Sequence, residues 1–324
     1  MAKKEDKYFI YDEEESKSPA APIRECVYRA KLQIYQMLGI LCHPKAQKEK
    51  KYKVVICAIF KNEAPYLREW IEFHRIVGVE HFYLYNNNST DNYLEILAPY
   101  INAGLIDLID WPKQQSQMEA YSDCVERFKV DCRWIGFIDL DEFVLPIDDD
   151  TIYDFLSRFE KTAGAVVLPW QQFGSSGLIN REMDSLVCES FYSCWRKHRS
   201  IGKCFYNTAY EIDFQDPRNK VFHHFLITHC NGIANMPANV FGRRSYPNLF
   251  PGKGDHFPAQ INHYFSKSFD EYMLKCAKGD VFFQINPHDE DYFYAHEKNC
   301  VSTDAAIFKY LVRLKRAMEK TEER

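Results

Sequence analysis

The chain has 324 residues, 46% of them hydrophobic and 15% aromatic, and a formal net charge of −5. That is enough apolar material for one large domain or two small ones. The slightly acidic balance excludes a protein that acts through an overall basic field on nucleic acid. The eleven cysteines include no C-x-x-C pair, which points to free thiols in a reducing cytoplasm rather than to a zinc knuckle. Acids stand where the apolar core of a signal peptide would begin. The longest uncharged apolar stretch, residues 32–42, falls short of the ~20 residues of a membrane span. A soluble or peripheral cytoplasmic protein is expected.

In chain order, residues 1–19 are charge-rich and expected to be mobile. Ile23, Val27, Ala30, Ile34, Met37 and Leu41 recur at helical spacing, with Arg24, Arg29 and Lys31 among them. They predict a helix that packs on the main domain or touches a membrane surface or a partner. Residues 44–53, PKAQKEKKYK, read as a basic linker. Residues 54–60, VVICAIF, predict a buried strand. Pro65 suits a first helical turn; Tyr66, Trp70, Phe73, His74 and Val77 continue at helical spacing until Gly78 stops the helix. Residues 81–85 form a second predicted strand. Residues 86–91, NNNSTD, form a loop with cap residues, and Leu94, Leu97 and Ile101 share one face of the next helix. Residues 105–109 are a third strand. Ser116 opens a helix carrying Met118, Tyr121, Val125 and Phe128, and residues 134–138 are a fourth strand.

Alternating helices and strands that are apolar on both faces predict an α/β fold with a mostly parallel central sheet flanked by helices. Beyond about residue 151 the alternation weakens. A helix over 151–161 and a strand over 165–170 are followed by short aromatic runs, predicting a mixed or antiparallel C-terminal extension. Ser268 and Glu271 fit a capping box opening a helix that Gly279 closes. A final helix over 302–316 places Ile307, Leu311, Leu314 and Met318 inward. The implied organisation is an appendage over 1–50, a catalytic domain over 51–285 and a helical extension over 286–324.

Ligands of parallel α/β sheets collect beyond the carboxyl ends of the strands. Three loops meet that rim: Lys61-Asn62-Glu63, NNNSTD, and the segment after WIGFI, which reads Asp139-Leu140-Asp141-Glu142. In an extended segment Asp139 and Asp141 face one site while Leu140 points into the core. Two carboxylates side by side repel, and a hard cation, Mn²⁺ or Mg²⁺, relieves that while holding substrate phosphate oxygens. The competing reading is a solvated strand end with Glu142 paired to a nearby Lys or Arg. In NNNSTD, Asp91 is able to accept from an imide N–H such as uracil's, and Asn side chains, Asn88 among them, to reach ribose hydroxyls; a helix N-cap supplied by Ser89 is the alternative.

Taken together, CAIFKNEAPYLREWIEFHRIVGVEHFYLYNNNSTDN, WIGFIDLDEF, WQQFGSSG and INHYFSKS with Lys275 and Gly279 beyond resemble glycosyltransferase family 92 and related family-2-like transferases. The resemblance spans about residues 53–279. It implies a GT-A-type, Rossmann-like fold, a nucleotide-sugar donor, a divalent metal and transfer with inversion. Asp139 and Asp141 would hold the metal and the donor ribose or diphosphate, with His263 as a further metal ligand. Asn62, Glu63 and Asp91 would line the nucleoside pocket, Gln117 would contact base or ribose, and Lys267 and Lys275 the diphosphate.

An inverting reaction needs a base across the sugar from the metal. Glu189, in LVCESF, and Asp255, in GKGDHF, are the candidates. Trp170, Phe173 and Gly174, at the FGSSG loop, are assigned to sugar binding because aromatic rings stack on sugar faces. His223, His224 and His229 invite a zinc reading but lack a cysteine pair, which favours structural or substrate-contact roles. The expected function is transfer of a sugar, from UDP in particular, to a glycan or lipid-linked glycan hydroxyl at the inner face of a membrane. The alternative is a non-catalytic module binding nucleotide sugars or glycans. A nucleotidyltransferase would want a Gly-rich triphosphate loop, and CAIFKNEAP has no glycine.

Overall fold

A computed structural model describes residues 21–41, 44, 49–182, 184–245, 256–277 and 289–322. The tail 1–19, Asp255, Gly279 and the boundary at 285 lie outside them. The described elements begin with α1 (Ala21–Leu41), β1 (Tyr52–Phe60), α2 (Ala64–Ile76), β2 (His81–Asn86), α3 (Tyr93–Asn102), β3 (Ile106–Asp110), α4 (Gln117–Phe128) and β4 (Cys132–Phe137). Next come β5 (Glu142–Pro146), α5 (Ile152–Leu156), β6 (Ala165–Gln172), α6 (Val187–Ser190), β7 (Ser193–Cys194), β8 (Gly202–Asn207) and β9 (Glu211–Ile212). The remainder are β10 (Thr228–Cys230), β11 (Ile233–Asn235), β12 (Ala238–Asn239), β13 (Ala259–His263), α7 (Phe269–Ala277), α8 (Glu290–Glu297), β14 (Ser302–Thr303) and α9 (Leu311–Glu322).

The main sheet runs β3-β2-β1-β4-β8-β6-β13-β5, with β12 beside β6. The first four strands are parallel. β8 then runs antiparallel between β4 and β6, and β13 runs parallel to β6 and antiparallel to β5. This is the mostly parallel sheet with a mixed extension that the sequence predicts. All seven residues 54–60 of β1 are buried, as a strand covered on both faces requires. α2 buries Leu67, Trp70, Ile71, Phe73 and His74 against the sheet. Gly78 follows it at φ +94°, a conformation that favours glycine.

The chain departs from the sequence expectations in two places. First, α1 turns its predicted apolar stripe outward: Ile23, Val27, Ile34 and Met37 are exposed, the first at 70%. The helix docks through its other face, where Leu32 is buried and Gly39, lacking a side chain, admits the guanidinium of Arg244. Arg244 is itself fixed by Met236 O at 2.7 Å and Thr162 O at 2.6 Å. Second, residues 302–316 are not one helix. Ser302 and Thr303 pair with β7, a 3-10 turn covers Ala306–Tyr310, and α9 follows; Ile307 and Leu314 are buried as predicted. His223 and His224 lie in turns. The capping box is made: Ser268 Oγ donates to Glu271 Oε2 at 2.6 Å, and Glu271 N donates to Ser268 Oγ at 3.4 Å. Among the described residues no helix is long and apolar enough to cross a membrane.

Candidate active site

The register of the parallel strands sets Phe60, Asn86 and Asp110 side by side at one rim. The loops beyond them are knitted by polar side chains. Asn62 N donates to Ser89 Oγ at 3.0 Å, and Thr90 N to Asn62 Oδ1 at 2.7 Å. Ala64 N, in the first turn of α2, donates to Asp91 Oδ2 at 2.9 Å. Ser89 is therefore not the cap of α3; Asn92 occupies that position. Asn62 and Asn88 take positive φ, which Asn tolerates better than most residues. Asn88 is exposed. Asp91 Oδ1 is buried with no hydrogen-bond partner among the described residues.

Asp139 and Asp141 sit in a turn rather than in an extended segment. β4 ends at Phe137, Ile138 N still donates to Cys57 O, and Glu142 N closes the turn on Asp139 O at 3.1 Å. The indole of Trp70 locks it by donating to Asp139 O at 3.1 Å and Glu142 O at 2.9 Å. His74 reinforces the junction: Nδ1 faces Trp70 O at 2.8 Å, and Val144 N donates to Nε2 at 3.1 Å. Leu140 is buried, as expected. The turn arises because β5 reverses to pair with β13, so the chain has to bend where the acids stand.

Two lysines meet the three acids of the turn. Lys203 Nζ reaches Asp139 Oδ2 at 2.5 Å and Glu142 Oε2 at 3.3 Å. Asp139 Oδ1 accepts from Gln117 Nε2 and Tyr121 OH, each at 3.0 Å. Lys275 Nζ donates to Asp141 Oδ2 at 2.6 Å, and His263 Nε2 lies 3.6 Å from the same oxygen. Pairing of His263 with both Glu142 and Gln172 brings it there, and Gln172 Nε2 is 3.1 Å from its Nδ1. Trp170 Nε1 donates to Glu142 Oε1 at 2.7 Å, and its ring lies 4.8 Å from that of His263 and 5.0 Å from that of His224.

The electrostatics follow from this pairing. Burial works to raise the Asp141 pKa, but Lys275, His263 and Lys267 together hold it well below the usual range. Burial, reinforced by repulsion from Asp139 and Asp141 and only partly offset by Lys203, pushes Glu142 up to about 8. Burial would lower Lys203, yet Asp139 and Glu142 more than reverse that. Burial lowers Lys267, which packs its ammonium 4.2 Å from the Tyr66 ring centroid. His223 and His224 line the back of the cluster, the latter held down to about 3 mainly by burial.

The structure thus brings Gln117, Asp139, Asp141, His263, Lys275 and Trp170 together, with Lys267 and Glu63 in electrostatic reach. Phe173 and Gly174 extend from β6 beside them; Phe173 N donates to His263 O at 3.0 Å. Glu189 is placed differently: its carboxylate is ion-paired at 2.6 Å with Lys315 of α9. Sequence reasoning missed Lys203 and Tyr121. A lysine inside the otherwise apolar run GKCFYN was the available signal. Glu142 does find a lysine, as the competing reading held, but both side chains are fully buried.

The parallel half and its mixed extension define an α/β fold with a mostly parallel central sheet, acidic at the strand end that bears the cluster. Residues 50–212 match the profile of Glycosyltransferase family 92, and the chain belongs to that family. It is 37% identical over 249 residues to Glycosyltransferase family 92 protein At1g27200 of Arabidopsis thaliana, covering 71% of this chain and 38% of that protein. It is 30% identical over 208 residues to Galactan beta-1,4-galactosyltransferase GALS2 of the same plant, covering 60% and 36%. The chain spans less than half the length of the curated relatives it matches, from 23% to 40%. The solved structure of S. aureus TarS residues 1–349 superposes with a TM-score of 0.34 at 11% identity over 48% of this chain and 47% of that one, too slight a likeness to carry an argument.

Proposed function

We propose that this chain is a metal-dependent, inverting glycosyltransferase that moves a sugar from UDP to a hydroxyl of a glycan or lipid-linked glycan. The carrying observation is the charge-compensated cluster at the strand rim, where Asp141 stands between His263 and Lys275. Membership of a glycosyltransferase family and similarity to proteins named galactan galactosyltransferases support a hexose donor and a polysaccharide acceptor. The unpartnered Asp91 Oδ1 supports uridine, whose imide N–H is the matching donor.

The donor atoms present fit a divalent ion. An oxygen and an imidazole nitrogen 3.6 Å apart suit two positions around one hard cation, and waters and phosphate oxygens fill the rest. Asp141 and His263 would hold Mn²⁺ or Mg²⁺, which when bound supplies positive charge against the leaving diphosphate. Asp139, with both oxygens already engaged, would orient the donor's ribose together with Gln117. Asn62, Glu63, Asn88 and Asp91 would form the nucleoside pocket. Lys275 and Lys267 would neutralise the departing phosphates, Lys275 by exchanging Asp141 for the substrate. Trp170, Phe173 and Gly174 would bound the sugar. A carboxylate, Glu189 or Asp255, would take the acceptor proton as the hydroxyl oxygen attacks the anomeric carbon. The outward apolar stripe of α1 supports peripheral contact with a cytoplasmic membrane face.

Nucleoside diphosphate release from UDP-sugars, with Mn²⁺ and a glycan acceptor, tests the proposal. Asp141→Ala should lower the rate by about 10³-fold or more, on the order of 4 kcal/mol. Full turnover by that variant would sink the metal assignment, and UDP-sugar binding without any turnover across a broad acceptor panel would favour a non-catalytic module.

A further inference from the structure

A second cluster of ligating groups shares no residue with the rim site. At the end of α8, His296, Glu297 and Cys300 present a nitrogen, a carboxylate oxygen and a sulfur that all lie within 4.8 Å of one another. Their spacing in HEKNC returns the first and last to one side after about a turn. Each is already oriented from the loop that follows β6. His296 Nε2 is 3.0 Å from Phe173 O. Glu297 Oε1 accepts from Ser175 N and Oε2 from Ser175 Oγ, both at 2.9 Å, which leaves lone pairs free on each oxygen.

Gly174 supplies an independent observation. A Cβ there would lie 2.5 Å from Cys300 Sγ and 2.6 Å from Glu297 Oε1. The loop backbone therefore packs directly against two of the donors, and only a residue without a side chain allows that approach. Two further groups lie near Cys300. Cys194 pairs with Ser302, two residues beyond Cys300, and lies in electrostatic reach of its thiol. The buried indole N–H of Trp195 lies against the Cys300 sulfur and meets no other acceptor among the described residues; a thiolate there would accept from it.

We propose that His296, Glu297 and Cys300 form a zinc site that clamps the end of α8 to the Phe173–Ser175 loop. The donor set selects the metal. A thiolate with an imidazole and a carboxylate suits Zn²⁺, whereas Mn²⁺ and Mg²⁺ prefer all-oxygen or oxygen-rich surroundings. Tetrahedral zinc draws its ligand atoms to about 3.3–3.8 Å from one another, a contraction of about 1 Å from the present spread. Cys300 loses its proton to solvent on binding, and a water takes the fourth position. The clamp is structural: it fixes the loop that carries Phe173 and Gly174 and leaves the ion at Asp141 and His263 independent.

The full chain, expressed with added zinc sulfate and gel-filtered, should retain about one equivalent of zinc by plasma mass spectrometry. Replacement with Co²⁺ should give a thiolate-to-cobalt charge-transfer band in the near ultraviolet, which an oxygen and nitrogen site at Asp141 and His263 does not produce. Cys300→Ser should lose the band, and Cys26→Ser, at an exposed thiol, should keep it. A folded chain without zinc or band, or a band that survives Cys300→Ser, overturns the site. Should Cys300→Ser fail to fold, the wild-type chain decides through iodoacetamide mapping. Zinc that protects the Cys300 peptide but not the Cys26 peptide sustains the proposal, and equal labelling with and without zinc refutes it.

Discussion

The parallel half of the sheet and the antiparallel insertion beside it divide the rim between them by charge. The first half, β1 to β4, contributes acids and neutral hydrogen-bonding side chains: Asn62, Asp91, Gln117, Asp139 and Asp141. The second contributes the cations and rings that compensate them, Lys203 from β8, Trp170 from β6, His263 from β13 and Lys275 from α7. Neither half alone is electrostatically tolerable at this depth, because an unpaired buried charge costs several kcal/mol. The cluster is therefore a joint product of both halves, and the insertion of β8 between β4 and β6 is what closes the balance.

The sharpest way to break that division is Lys203→Met. It leaves the buried Glu142 and the part-exposed Asp139 without their cation, and a loss of about 2–4 kcal/mol is expected in urea unfolding. The double variant Lys203→Met/Glu142→Gln should recover part of it, since one of the two acids is removed with the lysine. A loss below about 1 kcal/mol for Lys203→Met would show that the halves balance their charges independently.

A smaller effect reports on the junction at the acidic turn. Burial holds His74 down to about 3, against about 6.5 in an unfolded chain. Between those values the unfolded chain binds the proton and the folded one does not. The stability is thus fully present above pH 6.5 and is lost as pH falls, by about 1.4 kcal/mol per pH unit. His74→Gln should reduce the slope of stability against pH by that amount between pH 4 and 6; an unchanged slope would mean the imidazole protonates in the folded state.

The smallest stability effect belongs to Glu189, half exposed and paired with Lys315. Glu189→Gln should cost less than about 1 kcal/mol. Its value lies in kinetics: a fall of turnover by about 10³-fold at unchanged stability assigns the proton-accepting role to Glu189, and normal turnover removes it from that role.

Much of this site was legible residue by residue. Asp139 and Asp141 stood out because an apolar strand cannot absorb like charges, and Asn62 and Asp91 because their loops follow adjacent parallel strands. Lys203 was not legible. Its strand reads as an apolar run with one charge, and only the antiparallel register with β4 and β6 reveals which acid it meets. The stripe on α1 was found correctly as a helical face, but periodicity does not say whether a face looks inward or outward.

Sequence by itself determined the elements of the parallel half, their order and the rim where acids collect, because local periodicity and strand-end chemistry are short-range. Tertiary structure decided which cation serves which carboxylate, the bend that replaced an extended Asp139–Asp141 segment, and the meeting of His296, Glu297 and Cys300 with Gly174. Those depend on contacts between residues far apart in the chain, and the free energy of a buried charge is set by its neighbours in space.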